Sequence, residues 1–131
     1  MTQKISIIFS FFNEEHCIDS SVDRVSTVLE NIQDLDYELI FINDYSSDNS
    51  LKLLSDKAKN NKKIKVINMS RRFGHMPCVL AGLKYCEGDA AIYLDIDLQD
   101  PPEIISKMIK IWREQKCDVV YSQREKFKNS L

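Results

Sequence analysis

The amino-acid sequence predicts an α/β fold, with a mostly parallel β-sheet and helices on both of its faces. Short β-rich runs alternate with longer helical segments along the chain. The runs are continuously apolar, as in ELIFIN and DVVYS, rather than alternately apolar and polar. Strands that are buried on both faces of a parallel sheet have this pattern. The βαβ alternation therefore indicates right-handed crossovers between parallel strands.

Five strands are predicted from the apolar runs. They are Lys4–Ser10, Tyr37–Asn43, Ile64–Met69, Asp89–Asp95 and Cys117–Ser122.

Three helices are predicted between the first four strands. Asn13 is expected to cap the first helix, which extends to about Gln33 with an inner stripe of valine, leucine and isoleucine. Ser47 or Asp48 is expected to cap the second helix, and the third is expected to span His75–Tyr85.

A fourth helix is predicted to begin within the stretch YLDIDLQDPPE. Asp100 is the expected N-cap, Pro101 the first helical residue, and Glu103 the acidic partner of a capping box. Helix initiation therefore explains Asp100 and Glu103, but it leaves Asp95 and Asp97 unexplained.

Composition limits the classes of function. The 131 residues, 44% hydrophobic with a net charge of −2, fit one globular domain and do not favour a nucleic-acid partner. No apolar stretch approaches the roughly 18 residues that a membrane-spanning helix needs, and the short run at the start does not resemble a signal peptide. The four cysteines form no C-x-x-C pair, so zinc binding is not expected and reduced thiols indicate a cytosolic domain.

Polar residues follow each of the first four predicted strands. Because ligands bind at the carboxyl ends of parallel strands, we expect these residues to share one rim. The rim gathers Ser10, Phe12, Glu14, Asp44, Arg71, Arg72, His75, Asp95, Asp97 and Gln99.

Asp95 and Asp97 are the strongest candidates for chemistry on this rim. Two residues apart at a strand end, they leave the strand on one side, roughly 6.5 Å apart along the chain. The two ionised carboxylates repel each other by about 2–3 kcal/mol at an effective dielectric near 20. A cation placed between them would attract both and so offset this repulsion. With the Gln99 amide oxygen nearby, the set suits Mg²⁺ or Mn²⁺ completed by substrate phosphates. The alternative is a solvated acidic loop, because D-x-D is a common tripeptide.

The other rim residues each have a functional and a structural interpretation. Arg71 and Arg72, close to a helix start, suit phosphate oxygens but could be surface arginines. His75 is a phosphate donor or a helix-start residue. Asp44 either accepts hydrogen bonds from a nucleoside or is a carboxylate in a polar turn. Phe12 either stacks on a base or belongs to the core. Together, these features fit a nucleoside diphosphate bridged through a divalent ion.

Four segments resemble the successive motifs of family 2 glycosyltransferases. They are SIIFSFFNEE, FINDYSSDNS, SRRFGHMPCVLAGL and YLDIDLQDPPE, in the family's order, and the resemblance runs from Ile5 to about Arg124. The fourth is similar to the branch that makes polyprenyl-phosphate sugars, the dolichyl-phosphate mannose synthase and undecaprenyl-phosphate glycosyltransferase group. The resemblance implies a Rossmann-like GT-A fold, a nucleotide-sugar donor and a divalent metal.

The resemblance also implies roles for individual residues. Asp95 and Asp97 would be the catalytic metal-diphosphate aspartates, with Gln99 beside them at the metal. The implied nucleotide contacts are Ser10, Phe12, Glu14, Asp44, Arg72, Asp95 and Ile96.

The resemblance further implies a reaction and a location. The enzyme would transfer a sugar from a nucleoside-diphosphate sugar, more readily a UDP-sugar than a GDP-sugar, to a polyprenyl phosphate or a growing cell-surface glycan. The full-length protein is expected at the cytoplasmic face of the membrane. The alternative is a nucleotide-sugar-binding fragment that does not turn over its ligand.

The sequence departs from the family pattern in three respects. Ser10 and Phe12 stand where the family usually has proline and tyrosine. Asn43 and Tyr45 replace an aspartate and a glycine, in a turn that is expected to need a positive φ, which is costly for tyrosine. The chain stops just after the fifth predicted strand, so residues 1–131 are expected to be the donor-binding domain of a longer protein with a separate acceptor-binding half.

Other α/β enzymes fit the sequence less well. Phosphatases with an aspartate nucleophile and receiver-like domains place their key acid after the first strand, where this chain has Ser10-Phe11-Phe12. A dinucleotide-binding domain is disfavoured because no G-x-G-x-x-G motif follows any strand.

Overall fold

The structure, a computed structural model, describes residues 2–123 as an α/β fold in which strands and helices alternate. The elements are β1 Gln3–Phe11, α1 Ile18–Glu30, β2 Leu35–Asn43, α2 Ser50–Asn60, β3 Ile64–Asn68, α3 His75–Tyr85, β4 Ala90–Tyr93 and α4 Ile104–Gln115. The predicted fold class, the first four strands and the bounds of α3 are confirmed.

The strands form one parallel sheet in the order β3-β2-β1-β4. β1 pairs with β2 from Gln3 to Phe11, and on its other edge Ile5 to Ile8 pair with β4. The chain therefore runs outward from β1 through β2 to β3 and then returns to the opposite side of β1. The strand order switches between β1 and β4, and this is where open α/β sheets form a ligand crevice.

Both faces of the sheet are covered, which explains the continuous apolar runs. Ile5, Ile7, Phe9 and Phe11 of β1 belong to the larger core, together with residues of α1, α2 and α4. The other face has a smaller core of Ile8, Ile40, Ile42 and Cys78, the last of these from α3.

Gly82 sets how closely α3 approaches the sheet. A Cβ atom at this position would lie 2.6 Å from Ile8 Cγ2 and 2.9 Å from Ile42 Cδ1. The glycine therefore allows a contact that alanine could not make without a shift of the core.

The predicted caps of the first two helices are wrong or displaced. α1 begins at Ile18 with Cys17 at the N-cap position. Asn13 instead has a φ of 53°, and its Oδ1 accepts hydrogen bonds from the amides of Ser47 and Asp48 at 2.8 and 3.2 Å. Its side chain therefore joins two loops and leaves the helix uncapped. α1 also ends at Glu30, before the expected Gln33.

The start of α2 lies close to the predicted one. Its N-cap position is Asn49 rather than Ser47 or Asp48. Asp48 nevertheless accepts a hydrogen bond from the amide of Ser50, the first helical residue, at 2.9 Å. The carboxylate thus stabilises the helix start from one residue further out than a standard cap.

The predicted capping box of α4 is wrong. Pro101 and Glu103 belong to a turn that precedes the helix, and the amides of Ile104 and Ile105 donate to the carbonyls of Pro101 and Pro102 at 3.1 and 3.0 Å. Glu103 is at the N-cap position without a capping side-chain bond. The first helical amides are satisfied by backbone carbonyls, so Asp100 is not the N-cap.

The fifth predicted strand is also wrong. Residues 117–122 form no strand, and Val119 and Tyr121 are 75% and 80% exposed. β-forming side chains do not make a strand without a pairing partner. Within residues 2–123, no helix combines the length and the apolarity that crossing a membrane requires.

Candidate functional site

An open cleft of about 380 Å³ lies at the carboxyl ends of β1 and β4. This volume is within the range of about 300–1,000 Å³ that is typical of ligand pockets. Every residue predicted as a nucleotide or metal contact lines it, namely Ser10, Phe12, Glu14, Asp44, Arg72, Asp95, Ile96, Asp97 and Gln99. The cleft also includes Phe11, His75, Cys78 and Tyr93. The expected rim, except for Arg71, is therefore present as one surface.

The acidic segment forms a tight turn after β4. The amide of Leu98 donates to the carbonyl of Asp95 at 3.1 Å, and Leu98 has a φ of 52°. Ile96 is buried, and its carbonyl accepts a hydrogen bond from the hydroxyl of Ser21 in α1. Asp95 and Asp97 on either side of it are exposed. The apolar residue and α1 therefore anchor the turn, and the two carboxylates line the cleft.

The two carboxylates suit a partly hydrated cation. Asp95 Oδ1 accepts a hydrogen bond from the hydroxyl of Tyr93 at 2.9 Å, and Asp97 Oδ1 accepts one from the amide of Gln99 at 3.3 Å. In residues 2–123, no cluster of three or more His, Cys, Asp or Glu side chains could hold a metal ion. A cation here would need further oxygens from a ligand or water, which is how Mg²⁺ is usually bound.

Asp44 ties the loop after β3 to the end of β2. It is 4% exposed and accepts hydrogen bonds from the amides of Phe73 and Gly74 at 2.8 and 3.1 Å and from Arg72 Nε at 3.2 Å. Burial raises the pKa of Asp44, but the two amides and the Arg72 charge outweigh it, so its pKa lies below the ordinary value. All of these donors come from the protein, and the role of Asp44 toward a nucleoside stays a prediction.

Asn43 explains one departure from the family pattern. Its Nδ2 donates to Asn68 Oδ1 at 2.9 Å, and its Oδ1 accepts from the amide of Ser46 at 3.0 Å. An aspartate could accept the second bond but could not donate the first. Tyr45, two residues further on, has the expected positive φ, at 64°.

Phe12 and the two arginines lie at the mouth of the cleft. Phe12 is 38% exposed, so it does not belong to the buried core. The guanidinium of Arg72 lies over its ring, whereas the guanidinium of Arg71 lies over the ring of Phe73. Of the two arginines, only Arg72 lines the cleft.

A hydrogen-bonded group of side chains connects β1, α3 and β4 inside the cleft. Ser10 Oγ lies 3.2 Å from His75 Nδ1 and 3.3 Å from the hydroxyl oxygen of Tyr93. That oxygen lies 3.3 Å from His75 Nδ1 and donates to Asp95. Burial, together with the nearby Asp95 and Asp97 carboxylates, raises the pKa of Tyr93 to about 12.

Sequence reasoning missed Tyr93 as a cleft residue because it lies in an apolar run. Its spacing carried the signal, since residues two apart in a strand lie on the same side. Cys78 was missed in the same way, although it lies one helical turn after His75. Burial and the nearby Asp44 charge raise the pKa of Cys78 to about 11, so this thiol is not a reactive one.

Glu14 occupies the loop between β1 and α1. Its amide donates to Ser50 Oγ at 3.1 Å, and its Oε2 accepts from Cys17 Sγ at 3.4 Å. These contacts hold the loop against the start of α2 and fix one side of the cleft.

Comparison with known proteins identifies the family. The family model described as Glycosyl transferase family 2 matches residues 6–131. The chain is 40% identical over 123 residues to the uncharacterized glycosyltransferase YkcC of Bacillus subtilis (strain 168), an alignment that covers 94% of this chain and 38% of YkcC. It is 35% identical over 121 residues to the bactoprenol glucosyl transferase of Shigella phage SfX, covering 92% of this chain and 39% of that protein. The chain thus spans well under half the length of these relatives.

Two solved structures have the same fold at low sequence identity. One is the mannosyltransferase PcManGT from Pyrobaculum calidifontis in complex with GDP-Man and Mn²⁺, with a TM-score of 0.72 and 16% identity over 86% of this chain and 33% of that one. The other is S. aureus TarS 1-349 in complex with UDP-GlcNAc, with a TM-score of 0.71 and 19% identity over 95% of this chain and 38% of that one. These likenesses concern the fold, which is the GT-A fold of glycosyltransferases. The family match covers nearly the whole chain, and the chain therefore belongs to glycosyl transferase family 2.

Proposed function

We propose that residues 1–131 form one domain that binds a nucleoside-diphosphate sugar in the cleft between β1 and β4. The observation that carries this proposal is the convergence of Asp95 and Asp97, Arg72 and Phe12 on one crevice at the switch in strand order. Carboxylates for a cation, a guanidinium for phosphate and an aromatic ring for a base are the groups that such a ligand requires.

Each residue has a distinct proposed role. Asp95 and Asp97 hold Mg²⁺ or Mn²⁺, with Gln99 beside them, and the ion supplies electrostatic stabilisation of the departing nucleoside diphosphate. Arg72 contacts the diphosphate, and Phe12 stacks on the base.

The remaining cleft residues hold the nucleotide in place. Ser10 and Ile96 form the floor, while Glu14 and Asp44 accept hydrogen bonds from the nucleoside. The donor is more readily a UDP-sugar than a GDP-sugar.

We propose that the whole protein transfers the sugar to a polyprenyl phosphate at the cytoplasmic face of the membrane. The name of the phage SfX relative, a bactoprenol glucosyl transferase, supports this acceptor class. A growing cell-surface glycan is the second acceptor class. A lipid phosphate is already an anion at neutral pH, so its attack needs little help from a general base. Cation binding and positioning by the cleft would then supply most of the catalysis.

A second candidate is nucleotide-sugar binding without turnover by this 131-residue chain. The observation that favours it is the share of the relatives that the chain spans, 38% of YkcC and 39% of the phage protein. Donor hydrolysis, or transfer to a polyprenyl phosphate, distinguishes the two functions.

The decisive experiment is calorimetric titration with UDP and with GDP, each with and without Mn²⁺. We expect Mn²⁺-dependent binding of UDP, and we expect Asp97→Ala to remove the dependence on the ion. Asp23→Ala is the matched control, because Asp23 is an exposed carboxylate of α1 outside the cleft. If neither nucleotide binds, or if D97A binds like the parent chain, the proposed site is wrong.

A further inference from the structure

We propose that Tyr93 is a positioning residue for Asp95, and that its hydroxyl couples the cation-binding carboxylate to Ser10 of β1 and His75 of α3. The inference rests on the proposed function, because it assumes that Asp95 binds a divalent cation. It concerns a residue that has no place among the expected metal or nucleotide contacts.

The position of Tyr93 in the fold fixes its geometry. It is the last residue of β4 and pairs with Ile8 of β1, so its backbone is part of the sheet. Its side chain is half-buried, and the ring meets the His75 ring edge-on with 5.0 Å between centroids. The hydroxyl is therefore held by a paired strand on one side and by a packed ring on the other.

The direction of the hydrogen bonds follows from the chemistry of the groups. An ionised carboxylate can only accept, so the single proton of the Tyr93 hydroxyl is donated to Asp95 Oδ1. The phenol oxygen can then only accept from its other neighbours, Ser10 Oγ and His75 Nδ1, both 3.3 Å away. Ser10 Oγ thus donates to the phenol oxygen, His75 Nδ1 donates to it in the tautomer that carries the proton on Nδ1, and the chain of hydrogen bonds ends on Asp95.

This chain orients one carboxylate and not the other. Asp95 has one oxygen fixed by a side chain that is itself held in place, which limits the rotation of the carboxylate about its χ angles. Asp97 accepts instead from the amide of Gln99 within its own turn, at 3.3 Å. Asp95 is thus the pre-oriented partner of the pair, and a ligand that is held by a second residue binds a metal ion more tightly.

The coupling also joins the two walls of the cleft. His75 is the first residue of α3, and Asp95 begins the turn after β4. A shift of α3 relative to β4 would therefore change the orientation of the Asp95 carboxylate through the Tyr93 hydroxyl.

Tyr93→Phe is the direct test, because it removes the hydroxyl and keeps the ring. Mn²⁺ affinity is measured from the free-ion signal in electron paramagnetic resonance, with Mn²⁺ alone and again with UDP present. Removing an outer partner of a metal ligand typically weakens metal binding by about 10–100-fold. We expect a loss of about 10-fold for Y93F and an unchanged melting temperature. Tyr85→Phe is the matched control, because Tyr85 is 59% exposed at the far end of α3. The affinity of the Y85F variant for Mn²⁺ should not change.

Ser10→Ala keeps the Tyr93 ring and hydroxyl but removes one support, and we expect a smaller loss of Mn²⁺ affinity. If Y93F also melts at a lower temperature, S10A decides the matter: weaker Mn²⁺ binding supports the proposal, and parental affinity overturns it. A stable Y93F variant with parental Mn²⁺ affinity overturns it directly. A parent chain that binds no Mn²⁺ under either condition overturns both this inference and the cation-binding part of the proposed function, so the two failures are distinguishable.

Discussion

The guanidinium carbon of Arg72 lies 3.6 Å from the centroid of the Phe12 ring. The Nε of the same arginine donates to Asp44 at 3.2 Å. Three residues proposed to contact the nucleotide are therefore engaged with one another in this structure. A base that stacks on this face of Phe12 would take the place of Arg72, which would then be available to the phosphates.

We expect Arg72→Ala to weaken Mn²⁺-dependent UDP binding by at least about 10-fold, because a charge-assisted hydrogen bond contributes about 1.5–3 kcal/mol. Arg72→Lys should restore only part of the affinity, since an ammonium group cannot form the planar, two-pronged contact of a guanidinium. Calorimetric titration with UDP measures both effects.

Arg71→Ala is the control for general charge effects. Arg71 carries the same charge one residue away, but its guanidinium lies over Phe73 at 4.7 Å from the ring centroid. We expect its affinity for UDP to stay within about twofold of the parent, as for a charge without a direct contact. Equal losses in the two variants would mean that net charge, rather than a contact from Arg72, determines the affinity.

The parts of the fold that follow from burial could be predicted from the sequence. β1 and β2 are apolar on both faces because helices cover both faces, and the apolar run itself carries that information. The fifth predicted strand had the same side-chain signature, yet Val119 and Tyr121 are exposed. A segment forms a strand only if it can pair with a neighbouring strand at the edge of a sheet, and the local sequence does not show whether such a neighbour is present.

The site, like the fold, has parts that could be predicted from the sequence and parts that could not. Asp95 and Asp97 could be placed on the cleft because strand ends in a parallel sheet share one edge. The hydrogen bond from Tyr93 to Asp95 could not be predicted, because the spacing shows which side of the strand a residue faces but not which group its hydroxyl contacts. The prediction for Asn13 was wrong for a related reason. Its side chain is suited to cap a helix, but it instead accepts hydrogen bonds from two backbone amides of another loop, 34 and 35 residues away.

Tyr45→Gly should stabilise the protein. Tyr45 is 58% exposed and has a φ of 64°, a conformation in which a Cβ atom costs energy and glycine has no such cost. We expect a gain of about 1 kcal/mol in the free energy of unfolding after the entropy that glycine adds to the unfolded chain is subtracted. Urea denaturation measures this gain.

Tyr45→Ala separates backbone strain from the loss of the side chain. Alanine removes the ring but keeps the Cβ atom, so the strain should remain and no gain is expected. If Y45A were as stable as Y45G, the exposed ring, and not the positive φ, would be the source of the effect.

Glu38 is a buried carboxylate of β2, the strand that ends one residue before Asp44. It is 2% exposed. Its Oε1 accepts from Ser6 Oγ at 2.6 Å and from the amide of Glu87 at 2.7 Å, and its Oε2 pairs with Lys65 Nζ at 2.6 Å. These contacts join β1, β2, β3 and the loop that leads into β4. Because β4 ends at Tyr93, they also help to place the acidic turn.

The stabilisation from Glu38 depends on pH in a defined direction. Burial raises the pKa of Glu38, but Lys65, Ser6 and the Glu87 amide outweigh it, so the pKa is lower in the folded protein. A lowered carboxylate pKa contributes stability above the unfolded value of about 4.3, and the contribution disappears as the pH falls through the folded pKa. The ion pair raises the pKa of Lys65, so its contribution is complete below the unfolded lysine pKa and unchanged from pH 5 to 8.

We therefore expect Glu38→Gln to be less stable than the parent by about 2 kcal/mol at pH 7, the value of charge-assisted hydrogen bonds to a buried group. The difference should begin to shrink as the pH falls below the unfolded glutamate value of about 4.3, and it should disappear once the pH has passed the lower pKa of the folded carboxylate. Urea denaturation at pH 7, 5 and 3.5 measures it. Glu87→Gln is the control, because the Glu87 carboxylate is 66% exposed and its pair with Lys65 should contribute less than about 1 kcal/mol. A difference between E38Q and the parent that stays constant with pH would show that lost packing, and not the charge of Glu38, causes the destabilisation.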